Sequence, residues 1–363
     1  MSVLAAIAVI LLLIVVHELG HFLAARLQGI HVNRFSIGFG PILWKYQGSK
    51  TEYAIRALPL GGFVGFPDDD PESTIPENDP DLLRNRPVLD RAIVISAGVI
   101  ANLIFAYLVL VLEIGCTGIP NGSNYEPGIL VPQVISADSP AARAGIRSGD
   151  VILSVGDITL SASEETVSQF KDIIESNPDR ALSLSVDRNG RQQTVEVTPK
   201  ADSSGLGRIG VQLAPNGEPI YRRPSSIVEV FGLGAERFQT ILVGTAAGFY
   251  QLITNFGDTA SQLASPVKIV QQGSEYVKQD SIYLLVFTAV ISINLAIINI
   301  LPLPALDGGQ LAFLIVEGLR GKPVPVHIQD GFMQSGMLVL LGLGVFLIVR
   351  DTTQLEWVQQ LMR

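Results

Sequence analysis

"LLLIVVHELGHFLAAR", residues 11–26, begins as a membrane-crossing helix would and then sets His17, Glu18 and His21 inside the apolar run. Such groups in hydrocarbon cost several kcal/mol each, on the order of 2–4, unless they have partners or a task. Val3–Val16 is uncharged, and the apolar pattern resumes at Phe22–Ala25, so the whole stretch reads as one span. No Lys or Arg precedes it, which argues for a retained helix over a cleaved signal peptide.

The rest of the chain agrees with a membrane reading. Of 363 residues, 48% are hydrophobic and only 16% charged, where about a quarter is usual for a soluble domain. Three more uncharged runs, Ala92–Leu112, Ser281–Leu306 and Gly331–Val349, approach or exceed the roughly 20 residues that a helix needs to span a bilayer. The net charge of −9 gives no hint of nucleic-acid binding. Cys116 stands alone and reads as a small apolar residue at a helix end.

Between the first two spans lie two glycine-marked strand-like pieces, 34–46 and 53–66, the second breaking at Gly61-Gly62 as a bent edge strand or hairpin does. The Pro- and acid-rich segment 67–81 reads as a surface loop. Residues 121–224 change character: charge becomes frequent and apolar runs shorten. "GILVPQV", "DVILSV" and "ALSLSVDRNGRQQTVEV" read as strands, the last a hairpin turning at Asn189-Gly190. Residues 163–177 read as an amphipathic helix capped by a serine. Residues 225–262 are apolar enough for a fifth span, but Glu229, Glu236, Arg237 and Gln239 favour amphipathic surface helices.

His17-Glu18-Leu19-Gly20-His21 has the H-E-x-x-H spacing. Positions i and i+4 share one helix face, so both imidazoles can address one metal ion, with Glu18 placed to take a proton from the attacking water. Zinc suits this set, with three protein ligands and one open position. The third ligand must come from elsewhere, and "NLAIINILPLPALDGGQL", 294–311, offers Asp307. Pro302 and Pro304 break the helix before it, and Gly308-Gly309 permit close backbone approach. The competing reading is that Asp307 caps the following helix. His31 and His327 lie in polar loops and read as solvated.

"VVHELGHFLAAR" together with "INILPLPALDGGQL" resembles the site-2 proteases, intramembrane zinc metalloproteases that pair H-E-x-x-H with N-x-x-P-x-P-x-L-D-G. Asn299, Pro302, Pro304, Leu306, Asp307 and Gly308 match the second motif in full. "SPAARAGIRSGDVILSVGD", 139–157, resembles a bacterial PDZ core, as carried by the regulator-of-sigma-E protease branch. "SAGVIANLIFA", 96–106, is similar to the family's A-G-P-x-x-N segment, with Val99 where proline is usual and, downstream, Gln310 where many members have histidine.

The resemblance implies a polytopic α-helical membrane protein of about four spans with a membrane-associated β-loop and an inserted mixed α/β PDZ domain. Its parts would be residues 1–115 (two spans, zinc motif and β-loop), 116–205 (PDZ domain), 206–278 (amphipathic surface helices) and 279–363 (two spans and the third ligand). It implies one Zn2+ per chain on His17, His21 and Asp307, Glu18 as general base, and Asn299 as a contact to substrate backbone. The 53–66 strand, with Gly61 and Gly62, would hold an unwound substrate helix by strand addition. Gly128 and Ile129, in "EPGILV", could bind a peptide's C-terminal carboxylate; alternatively the PDZ domain is a size filter. The implied partners are the lipid bilayer and a single-pass transmembrane substrate, such as an anti-sigma factor already trimmed outside, or signal-peptide remnants. The implied home is a bacterial plasma membrane or a plastid membrane, with the PDZ domain outside. The rival reading is a membrane-anchored PDZ scaffold without activity.

Overall fold

The computed structural model describes residues 2–70, 73–136, 138–163, 165–202, 205–255, 265–279 and 282–353. Residues 256–262 of the ambiguous segment, Ser281 at the head of one apolar run, and 354–363 lie outside them. The chain forms two compact units: the residues up to Thr117 together with those from Pro224 onward, and Gly118–Arg223.

The first unit is built on helices. α1 (Ser2–Leu27) leads into strands β1 (Arg34–Gln47) and β2 (Glu52–Gly65), then α2 (Val88–Thr117). Gly38, Gly40 and Gly61 take positive φ, and there the strands bend back on themselves. Residues 34–37 therefore pair with 52–55 on one side and 62–65 on the other, while 44–47 return onto 52–55. Two long strands thus make a four-ribbon sheet with 62–65 at one edge.

After the second unit come α5 (Ile227–Thr254), α6 (Pro266–Gln279), α7 (Tyr283–Ile300), α8 (Asp307–Arg320) and α9 (Val326–Thr353). Among the described residues, α1, α2, α7 and α9 are the helices long and apolar enough to cross a membrane. Their outward faces carry bare Leu, Ile and Val (Leu338 is 72% exposed), the surface that a lipid solvent requires. The inward faces of α1, α2 and α7 meet over Ala106, Leu110, Ala289 and Ile293, and over Val9, Leu13 and Phe287. Helix α5 is one continuous helix capped by the Ser226 hydroxyl, and its Phe238, Ile241 and Leu242 pack on the α2–α7 core.

The second unit holds α3 (Pro140–Arg143), α4 (Thr166–Glu175) and strands β3 (Ile119–Leu130), β4 (Val151–Val155), β5 (Ile158–Thr159), β6 (Leu182–Arg188), β7 (Arg191–Val197), β8 (Lys200–Ala201), β9 (Gly207–Arg208) and β10 (Ala214–Arg222). The main sheet runs β10-β3-β4-β6-β7, over a core that includes Ile129, Ile152, Phe170 and Leu184. The β6–β7 hairpin turns at Asn189 and Gly190, both at positive φ as a two-residue turn requires.

Two expectations need correction. Helices do not begin at residue 206: Ala214–Arg222 pairs with β3 and extends the PDZ-like unit to Arg223. Its Pro, Gly and polar content hid an edge strand that needs only one bonded side. Nor does Ser163 cap α4, whose flanking residue is Glu165 with no side-chain cap bond. The Ser163 hydroxyl instead lies 2.9 Å from that of Thr166.

Candidate metal centre

Three segments far apart in sequence meet here. His17 and His21 lie one turn apart on α1. The third element arises where Pro302 and Pro304 stop the chain from continuing α7. Ala305 takes a positive φ of 67°, and α8 restarts at Asp307. Asp307 is the first residue of that helix, Leu306 precedes it as the cap, and no side-chain cap bond forms. The carboxylate is turned to the imidazoles instead: Oδ2 lies 3.1 Å from His17 Nε2 and 3.4 Å from His21 Nε2, and the two Nε2 atoms are 3.3 Å apart. Gly308 and Gly309 sit against the Leu301 and Leu303 carbonyls, where a Cβ would collide.

Helix α2 prepares the room. Its Gly98 lies against both imidazoles, so any side chain there would strike His21 Nε2. Gly20 of α1 lies against Ala97 and Ala101, which lets the two helices cross closely. The Val94 carbonyl lies 2.8 Å from His21 Nδ1. A carbonyl can only accept, so His21 carries a proton on Nδ1 and, when neutral, presents a lone pair at Nε2.

Two imidazole nitrogens and a carboxylate oxygen thus converge in a partly buried space, and Asp307 Oδ2 has no hydrogen-bond partner. Three acceptors facing one another repel unless a cation sits among them. Their separations of 3.1–3.4 Å match the edge of about 3.3 Å of a tetrahedron whose centre lies ~2.0–2.1 Å from each ligand, the zinc distance. The donor set and its spacing fit that ion.

The other sequence-singled residues divide. Asn299 comes to the centre, its Nδ2 3.2 Å from His17 Nε2. Gly62 lies against Glu18: a Cβ there would be 3.0 Å from Glu18 Cγ and 2.9 Å from the Ser36 carbonyl. Gly61, at φ 131°, stacks on the Phe39 ring. Gly128 and Ile129 belong to the other unit and do not form an open groove. Ile129 is wholly buried, and its strand is bonded to β4 on one side and β10 on the other. The segment from β9 to β10, like β3, lies against α4. It runs through Gly210–Gln212, bonded on one side to Gln133–Ile135 and preceded by Gly207 against the end of α4. His31 is not simply solvated: its Nε2 lies 3.5 Å from Asp79 Oδ1, beside Asp81. His327 is exposed at the start of α9.

Sequence reasoning assigned no role to Gly98 or Asn102, although both lie in the 96–106 segment it singled out. Four-residue spacing from Val94 through Gly98 to Asn102, on one face of α2, was the available signal.

Residues 5–343 match the model of Peptidase family M50. A Nostoc sp. protein provisionally named a zinc metalloprotease is 59% identical over 368 residues, covering all of both chains. The Arabidopsis thaliana chloroplastic membrane metalloprotease ARASP is 47% identical over 363 residues, 99% of this chain and 81% of that protein. The regulator of sigma-E protease RseP of Salmonella typhimurium is 30% identical over 437 residues, 92% and 95% of the two chains. Among solved structures, the PDZ domain of a Listeria monocytogenes SdrC-like protein is 21% identical, covers 24% of this chain and 87% of its own, and has a TM-score of 0.21.

Proposed function

The chain belongs to peptidase family M50, and from that premise we propose how this membrane metalloprotease works. It holds one zinc ion per chain through His17 Nε2, His21 Nε2 and Asp307, and it cuts the transmembrane segment of a single-pass protein. The observation that carries this reading is the convergence of three acceptor atoms with Glu18 beside them. When bound, zinc supplies Lewis-acid polarisation of the scissile carbonyl and eases deprotonation of water.

The chain's own residues do the rest. Glu18 follows the first ligand on α1 and takes the proton from the attacking water, then gives it to the leaving amine. A transmembrane helix has its peptide groups bonded internally, so it must be unwound to be cut. The 62–65 ribbon is an edge and lies against Glu18 at Gly62, so a substrate strand bonded to it would pass the general base. The Asn299 amide, 3.2 Å from His17 Nε2, bonds a freed peptide group. A membrane-anchored scaffold has no use for these buried groups.

The segment between α1 and α2 carries Arg34, Lys45, Lys50, Arg56, Arg84 and Arg86, and the α8–α9 connection carries Lys322. The positive-inside rule puts both on the cytoplasmic side and the PDZ-like unit outside. Apolar side chains differ by only about 1–3 kcal/mol in a pocket, too little to refuse most helices. The inserted unit therefore serves mainly as a size gate that admits substrates already trimmed outside, such as an anti-sigma factor, or signal-peptide remnants.

The test compares short membrane fragments from cells carrying the wild-type enzyme or Glu18→Gln. Substrate stubs accumulate in the variant; if no stub differs, the proteolytic reading is lost. Removing 118–223 should let an untrimmed substrate be cut, whereas a peptide-reading domain would lose the trimmed one.

A further inference from the structure

Asn102 is wholly buried on α2, with its amide nitrogen 3.3 Å from His17 Nδ1 and its amide oxygen without a partner. Its backbone is fixed from the opposite side, where the Ser292 hydroxyl of α7 donates to the Asn102 carbonyl at 2.8 Å. A buried amide oxygen left unbonded costs about 1–3 kcal/mol, so its position calls for a use.

Such a use follows from the ring it faces. His17 meets Asp307 and His21 through Nε2, so a cation held there leaves the ring proton on Nδ1. A proton on Nδ1 needs an acceptor, and an amide nitrogen is not one. Amide oxygen and nitrogen are nearly the same in shape, so which of them faces the ring is set by the hydrogen bonds it makes. Turning the group over gives the Nδ1 proton its acceptor and the orphaned oxygen its donor together. His21 has the same provision in another form, since the Val94 carbonyl accepts from its Nδ1 at 2.8 Å. Both acceptors lie on one stripe of α2, two turns apart, with Gly98 between them clearing space for the rings.

We propose that Asn102 is a positioning residue: its amide oxygen accepts the Nδ1 proton of His17 and so commits Nε2 of that ring to the metal. The proposal rests on the zinc reading above. Outer partners of this kind fix ring orientation and raise ligand basicity, and losing one typically costs about 10- to 100-fold in metal affinity.

The experiment uses the full-length protein in detergent, with Asn102→Asp, which keeps an acceptor, and Asn102→Leu, which keeps the size and loses it. Zinc affinity is measured by competition with a chelator at fixed pH, and thermal unfolding is followed with and without chelator. The Asp variant should bind zinc within about threefold of wild type and the Leu variant about 10- to 100-fold more weakly, with chelated forms that melt alike. A merely structural amide predicts the opposite order, because a buried carboxylate disturbs packing more than leucine does. The inference is overturned if the Leu variant binds zinc as wild type does, or if the Asp variant is as weak as the Leu variant. It is also overturned if the chelated Leu form is destabilised as much as the loaded one, or fails to accumulate. Wild-type protein without zinc affinity overturns the metal reading as well, whereas zinc-binding wild type beside an unaffected Leu variant removes this inference alone.

Discussion

Asp150 of the inserted unit and the partly buried Asp307 of the membrane unit are carboxylates treated differently. In the inserted unit Asp150 is 1% exposed, and Arg188 grips it with two hydrogen bonds, Nε to Oδ1 and Nη2 to Oδ2, both 2.7 Å. The Arg147 backbone N–H donates a third at 2.8 Å. The charge is matched and every contact has a donor. In the membrane unit Asp307 faces two imidazole nitrogens that, in the neutral rings, are also acceptors. One arrangement is complete without help; on the proposed reading the other is completed by a cation. Breaking a closed ion pair leaves an uncompensated buried charge, whereas a cluster of like acceptors marks a candidate ligand site.

The comparison breaks most visibly at the open cluster. Glu18→Gln should lower proteolysis at least about 100-fold while zinc content stays near that of wild type. Asp307→Ala should lower both, because it opens the coordination shell. Metal analysis beside a cleavage assay reads the difference. An Asp307→Ala protein with full zinc and full activity would end the case for this ligand.

The closed pair gives the next largest effect. Arg188→Met leaves a buried carboxylate without its cation and should destabilise the inserted unit by about 3 kcal/mol, read by hydrogen exchange in β4 and β6. Zinc content should not change. Burial pushes the Asp150 carboxyl up, and the Arg188 and Arg147 hydrogen bonds outweigh it, holding the group below the ordinary carboxylate range. Its stabilising contribution is therefore present above the unfolded value of about 3.9 and is lost as pH falls through the lower folded value. An acid titration of local exchange should show this loss in wild type and a much weaker one in Arg188→Met.

Gly62→Ala sharpens the comparison in a different way. The added carbon would press on the Ser36 carbonyl and Glu18, so the ribbon must shift. Turnover should drop by about tenfold with zinc retained, since a small displacement near reacting groups is felt strongly. The smallest effect belongs to Lys45–Glu52, an exposed pair at 3.1 Å. Lys45→Ala should change stability by less than about 1 kcal/mol, and a larger shift would show that exposure is a poor guide here.

The candidate metal cluster was legible in sequence because its residue types are costly where they stand. His17, Glu18 and His21 interrupt an apolar run, and Asp307 follows two prolines. The spans were legible for the same reason, since a lipid solvent leaves few alternatives to a long apolar helix. Asn102 and Gly98 stayed hidden because a small or neutral polar residue is common in such helices and shows its purpose only when another helix crosses it. The PDZ-like unit misled at its edges. "EPGILV" has the apolar run and glycine of a binding strand, yet Ile129 points into the core and its backbone is spent on both neighbours. Gly207–Val211, the segment that lies beside α4, is too short and glycine-broken to announce itself by alternation.

The distance along the chain between the parts of the metal cluster also sets when it can exist. Asn299 and His17 are 282 positions apart, and a ribosome adding about 5–20 residues each second needs roughly 15 to 60 s to cover that interval. During that time α1 and α2 can already pair, with Val94 and Asn102 beside the two histidines, and the inserted unit can fold. Asp307 does not yet exist. On the proposed ligand set, a nascent copy is therefore inert until α7 has been made and Asp307 has been added.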